Sequence, residues 1–139
     1  MITREEYYNA VRKYFNFLVE RYNFFELKKR SQNSMLYDVE YTDADLVISI
    51  SYEIMGEGVN VIIFKILNNK RSEYDDYVNT IHLNQIMKSA HKEEIVEQLK
   101  VSKSLFEHLG KPESNFEEEL LKKAELLFSV MNTSILTTS

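Results

Sequence analysis

Apolar and polar positions along this chain follow two different periods, and the change of period divides it into three stretches. In the first, Tyr7, Val11, Tyr14, Leu18 and Tyr22 recur at spacings of three and four, with Tyr8, Phe15 and Val19 beside them. That is the helical repeat. Thr3 and Glu6 stand at the spacing of a capping box, in which the hydroxyl accepts from an amide three residues on and the carboxylate reaches back. The spacing predicts one helix from there to Asn23, a residue type that takes the left-handed conformation at helix ends. Wound at about 100° per residue, the apolar side chains, Ala10 and Phe17 included, fill roughly 200° of its circumference. One sheet surface would cover about half of that arc. A second contact is expected, either within the chain or on a partner.

From Phe24 the period falls to two. Phe25, Leu27 and Lys29 predict a weak first strand, and Met35, Tyr37, Val39 and Tyr41 a second. In the third, Leu46, Ile48, Ile50, Tyr52 and Ile54 oppose Ser49, Ser51 and Glu53, and Val59 to Leu67 make a fourth. Thr42-Asp43-Ala44-Asp45 reads as a turn closed by aspartate side chains, and Gly56-Glu57-Gly58 as a tight connection. Links this short make neighbouring strands antiparallel. Ile48, Ile50, Ile63 and Phe64 are the expected core, and the polar run Asn68 to Asp76 is expected to be a loop.

The last stretch is helical again. A short segment around Asn84–Met87 has Asn84 as its N-cap. A longer helix runs from about His91 to Leu109, with Ile95, Leu99, Phe106 and Leu109 on one stripe and Gly110 and Pro112 ending it. Ser114 and Glu117 form a second capping box before Phe116, Leu120, Ala124, Leu127 and Met131. The tail, residues 132–139, is expected to fray. The pattern therefore predicts a single α+β domain over residues 1–139. An N-terminal helix leads into a four-stranded antiparallel β-meander, and two to three C-terminal helices pack on the sheet.

Composition removes whole classes of function. A chain of 139 residues can bury a core without staples, and with no cysteine it has no disulfides, thiolate metal sites or cysteine nucleophile. The start, Met1-Ile2-Thr3-Arg4-Glu5-Glu6, is not that of a signal peptide, and the apolar run Val59–Leu67 is too short to span a bilayer. A cytoplasmic protein without membrane contact is expected. His82, His91 and His108 show no metal-ligand spacing, although Asp75, Asp76 and His82 could converge. Gly56-Glu57-Gly58 lacks a third glycine and joins two strands, so it is not a phosphate loop. Lys28-Lys29-Arg30 and Lys70-Arg71 are brief basic clusters in a protein of net charge −5, and no basic stripe tracks a nucleic-acid backbone. The expectation is no metal, no cofactor, no nucleic acid and no catalytic residue.

Two features point towards a protein partner. Aromatic residues crowd the first helix, and Tyr8, Phe17 and Tyr22 are the rings expected to be left over from the core as anchors. Acidic residues open the later helices: Glu93, Glu94 and Glu97 in one, Glu117, Glu118 and Glu119 in the other. The helix dipole explains those positions on its own, and a field steering a basic partner would use the same residues. In size, acidity and layout, with the meander Met35–Leu67 between the first helix and the capped helices His91–Leu109 and Asn115–Met131, the chain resembles small acidic immunity proteins of bacterial polymorphic toxin systems. The resemblance implies a non-enzymatic protein that binds and occludes a toxin. An acidic secretion-type chaperone for an effector, usually dimeric, is the alternative, and a homodimer stays open. A small-ligand-binding domain or hydrolase is the alternative of another class.

Overall fold

The computed structural model describes residues 2–27, 35–56 and 58–136. The element order is α1 (Arg4–Phe15), α2 (Phe17–Tyr22), β1 (Phe25–Glu26), β2 (Leu36–Thr42), β3 (Leu46–Glu53), β4 (Gly58–Leu67), β5 (Lys70–Arg71), β6 (Thr80–His82), α3 (Lys92–Leu105) and α4 (Asn115–Met131), with short 3-10 turns at Leu83–Lys88, Glu107–Leu109 and Ser134–Leu136. The fold is α+β with an antiparallel sheet. Its residues gather into two units, Met1–His82 and Leu83–Ser139.

In the first unit the capping box forms in both directions, with Glu6 N donating to Thr3 Oγ1 at 3.1 Å and Thr3 N to Glu6 Oε1 at 2.9 Å. The expected single helix is broken at Asn16. Its carbonyl accepts from the amides of both Val19 and Glu20, and its side-chain amide donates to Glu20 Oε1. Asparagine competes for backbone and neighbouring polar groups in this way, and here it restarts the helix. The end falls as expected at Asn23, whose φ of 60° is left-handed.

The sheet runs β1-β2-β3-β4-β5, with β6 also on β4. Register fixes its faces. Tyr41↔Ile48↔Ile63 and Val39↔Ile50↔Val61 lie in cross-strand rows, and all six side chains are buried. Against this apolar face α1 sets Tyr7, whose ring centroid lies 5.6 Å from that of Tyr37 and 6.1 Å from that of Tyr52. The Tyr7 hydroxyl donates to the Ile50 carbonyl. Arg12 then ties α1 to β1 through a two-pronged bond to Glu26, at 2.9 and 3.0 Å. The opposite face is more polar: Asp38, Glu40, Ser49, Ser51 and Asn60 are partly covered, and Arg71 on β5 reaches Glu40 on β2 at 2.8 and 2.9 Å. Phe64, an expected core residue, lies on this second face and is buried beside Arg71.

Four strands become six. Asn68 and Asn69 both adopt positive φ, at 53° and 66°, the backbone of a type I′ hairpin turn. It folds β5 back onto β4 inside the stretch expected to be loop. The three residues of β6 are too few to display a period. Lys29 of the expected first strand and Glu57 of the glycine turn lie outside the described residues, as does Lys28-Lys29-Arg30.

In the second unit the segment around Asn84 is a 3-10 turn starting at Leu83, and the expected His91–Leu109 helix stops at Leu105, with a separate turn before Gly110. α3 packs against α4, with Phe106 and Phe128 edge to face at 6.3 Å. Ser114 caps α4 through its hydroxyl as expected. The tail is described as far as Leu136, and residues 137–139 of the stretch expected to fray lie outside the described residues. Thr133 Oγ1 donates to the Val130 carbonyl, and Ile135 is buried.

Replacing Ile50, fully buried, with Asp is expected to cost at least about 3 kcal/mol, since the carboxylate has no partner there. A thermal melt within about 5 °C of wild type would refute the face assignment. Tyr7→Phe is expected to cost about 1 kcal/mol near neutral pH through the lost hydrogen bond. Burial, helped by the negative charge of Asp38, pushes the Tyr7 hydroxyl well above the ordinary tyrosine range. The folded state therefore keeps this proton longer than the unfolded chain. Its contribution is complete below about pH 10 and is lost as pH rises towards the folded value. Denaturant melts up to about pH 11 should show wild type losing more stability than Tyr7→Phe, and equal losses would count against this burial effect.

Candidate functional site

Both β5 and β6 pair with one edge of β4, so the chain between them must leave that edge and return to it within a few residues. The backbone of Lys65 holds both ends: its carbonyl accepts from Ser72 N at 2.8 Å and its amide donates to Asn79 O at 3.1 Å. What lies between is a small loop with its ends together, of the kind that packs on its own side chains. Two hydroxyls fill its base. Ser72 Oγ and Thr80 Oγ1 share a hydrogen bond of 2.6 Å, and Thr80 Oγ1 donates to the Glu73 carbonyl, also at 2.6 Å. Asp76 closes the far turn by accepting from the amides of Val78 and Asn79 and from Asn79 Nδ2. These bonds, that to the Asn79 side chain first, hold the Asp76 carboxyl below its usual range.

His82 supports the loop from β6. Its Nε2 lies 2.9 Å from the Tyr74 carbonyl. A carbonyl only accepts, so Nε2 carries the proton and donates. The imidazole meets the Tyr74 ring edge to face at 4.6 Å and lies 5.6 Å from the Tyr77 ring. Both tyrosines nevertheless remain mostly outside: Tyr74 is 62% exposed, Tyr77 68% and the neighbouring Val78 83%. A segment fastened at every turn thus presents three large apolar side chains to solvent. Glu73 and Asp75, also exposed, stand beside them.

The residues expected to meet a partner fall elsewhere. Phe17 is a correction: at 7% exposure it belongs to the core, against Phe15 and Tyr22. Tyr8 and Tyr22 are partly covered, Tyr8 beside the guanidiniums of Arg4 and Arg12. Glu93, Glu94, Glu97 and Glu118 are exposed, and Glu117 and Glu119 partly so. Glu97 pairs with Lys100 at 3.0 Å, Glu118 with Lys122 at 3.3 Å, and Glu94 approaches His91 at 4.0 Å. Those contacts lie within single helices and their caps, and only Glu93, Glu94, Glu117 and Glu118 stand in a first turn, where the dipole acts. His82 does approach the Asp75–Asp76 loop, yet its Nε2 and the Asp76 carboxylate are engaged by the loop's own groups. Among the described residues no group of three metal-ligating side chains gathers, and no helix is long and apolar enough to cross a membrane. Tyr74, Tyr77 and Val78 escaped the sequence reading. Their signal was three large apolar residues inside a polar run rich in turn-forming Asp and Asn.

The second unit holds a cleft of about 320 Å³ between the end of α3 and α4, floored by Phe106, Pro112 and Leu121 and rimmed by Lys103, Glu107 and Glu125. Partial burial raises the Glu125 carboxyl above its usual value, against the opposing pull of Lys103 and Lys122.

No family model, no curated protein and no solved structure matches this chain.

The order of the loop depends on the Asp76 carboxylate, and the sign of its pH dependence follows. A depressed carboxyl stabilises above the unfolded value near 3.8, and that contribution is lost as pH falls through the lower folded value. Hydrogen exchange at Val78 and Asn79 should therefore quicken, relative to the sheet, below the ordinary carboxylate range and in Asp76→Ala at neutral pH. Unchanged protection in Asp76→Ala would mean that the loop is held without this turn.

Proposed function

We propose that this chain is a non-enzymatic protein-binding domain that neutralises a basic partner by covering it, as the resemblance to bacterial immunity proteins implies, and that it does so with the Ser72–Asn79 loop. One observation carries the reading: a loop fixed by its own hydrogen bonds holds Tyr74, Tyr77 and Val78 out in water. Exposed aromatic clusters mark interaction surfaces. Tyrosine on a rigid loop gives a large contact area while losing little rotamer freedom on binding. The net charge of −5, with Glu73 and Asp75 at the loop itself, favours a partner of opposite sign and speeds its approach. The engagement of His82 and Asp76 by loop groups supports a structural role for them over a catalytic one. A second reading, small-ligand binding, draws on the cleft beside Glu125.

The test is capture from cells that carry the protein, comparing the full chain with a Tyr74→Ala/Tyr77→Ala variant whose melting is checked. A basic protein retained by wild type and lost by the variant is the expected result, with an association rate that falls as salt rises. Recovery of nothing, or equal recovery by both proteins, would overturn the assignment to this loop.

A further inference from the structure

Two of the chain's arginines are held in the same way, while Arg4 lies 4.8 Å from the Tyr37 ring and donates to the Tyr8 hydroxyl. Arg71 lies 5.2 Å from the Phe64 ring centroid while its two terminal nitrogens bond Glu40. Arg12 lies 5.9 Å from the Tyr8 ring and bonds Glu26 through Nε and Nη2. In both cases a guanidinium has an aromatic face on one side and a carboxylate at its edge. The Ser72–Asn79 loop carries the same two kinds of side chain next to one another in sequence, both exposed. Tyr74 and Tyr77 are exposed, and among the described residues neither Glu73 nor Asp75 has an ion-pair partner. Charge alone does not select arginine, since Lys13 also lies over a ring, that of Tyr14, at 5.2 Å. The fork does. A planar guanidinium can stack on a tyrosine and bond a carboxylate with two N–H groups at once, and it sheds water more readily than an ammonium.

We propose that the loop receives an arginine side chain of the partner, stacked on Tyr74 or Tyr77 and hydrogen-bonded to Glu73 or Asp75. This rests on the protein-binding reading above and gives it a specific chemistry.

The probe is a phage-displayed library of random short peptides, selected on the immobilised full chain and counter-selected on the Tyr74→Ala/Tyr77→Ala variant. Clones that need the loop are expected to carry an arginine. A synthetic peptide from such a clone should bind about fivefold more weakly when that arginine becomes lysine, and more weakly still as citrulline, which keeps the shape and loses the charge. A Glu73→Gln/Asp75→Asn variant, which leaves the rings in place, should narrow the gap between the arginine and citrulline peptides. Loop-dependent clones without arginine, or equal binding of the arginine and lysine peptides, would overturn this inference and leave the loop as a protein-binding surface. Clones that bind wild type and ring variant alike would remove the loop from both proposals. Failure to enrich any clone would count against the arginine site, with the capture experiment still deciding the broader reading.

Discussion

Everything in the first unit depends on the hydrogen-bonding edges of β4. One edge is filled by β3 along its length, and an open edge on the other side would invite pairing with a foreign strand. The chain covers the C-terminal half of it with two short pieces, β5 opposite Ile66 and Leu67 and β6 opposite Ile62, Ile63 and Phe64. Because both must fit one edge, the residues between them are forced out into a loop whose ends meet at Lys65. The prominent tyrosines follow from how the edge is shared.

That origin bears on binding. A loop that must order itself when a partner arrives loses conformational freedom at that moment, and affinity falls by the corresponding amount. Here hydroxyls, an aspartate and an imidazole have already fixed the path of the backbone. The aromatic helix does the opposite. Its rings point at the sheet and at one another, and Tyr7, bonded to the Ile50 carbonyl, marks how far the packing is internal. The wide apolar arc of the N-terminal segment is divided between two short helices by Asn16, so a stripe too broad for one straight helix is shared by two.

What the sequence made legible was whatever repeats. Alternation from Tyr37 to Ile63 placed the meander and its buried face, since a one-residue error of register would have moved every one of those side chains to the opposite, more polar face. Caps at Thr3, Asn23 and Ser114 were equally plain, because each uses a side chain suited to one local geometry. The hairpin at Asn68-Asn69 was written in a pair of residues that tolerate positive φ, but without glycine it read as ordinary polar loop. β6 and the helical break at Asn16 left no periodic trace. Tyr74 and Tyr77 were hidden for a different reason. They stand out only by being held outside, and solvent exposure depends on where distant strands end. The acidic helix starts were visible but ambiguous, and Glu97–Lys100 and Glu118–Lys122 pair within their own helices.

The links between strands also set how much loop entropy each pairing costs. Only Asp43, Ala44 and Asp45 separate β2 from β3, and the Asp43 carboxylate holds that turn through the amides of Asp45 and Leu46. Pairing between near neighbours in sequence involves little loop-closure entropy, so such hairpins close at small cost. β6 has no such advantage. It pairs with β4 across a longer stretch of chain than the β2–β3 turn spans, so its closure costs more loop entropy. The bonds of Ser72, Thr80 and His82 are what hold that longer connection in place.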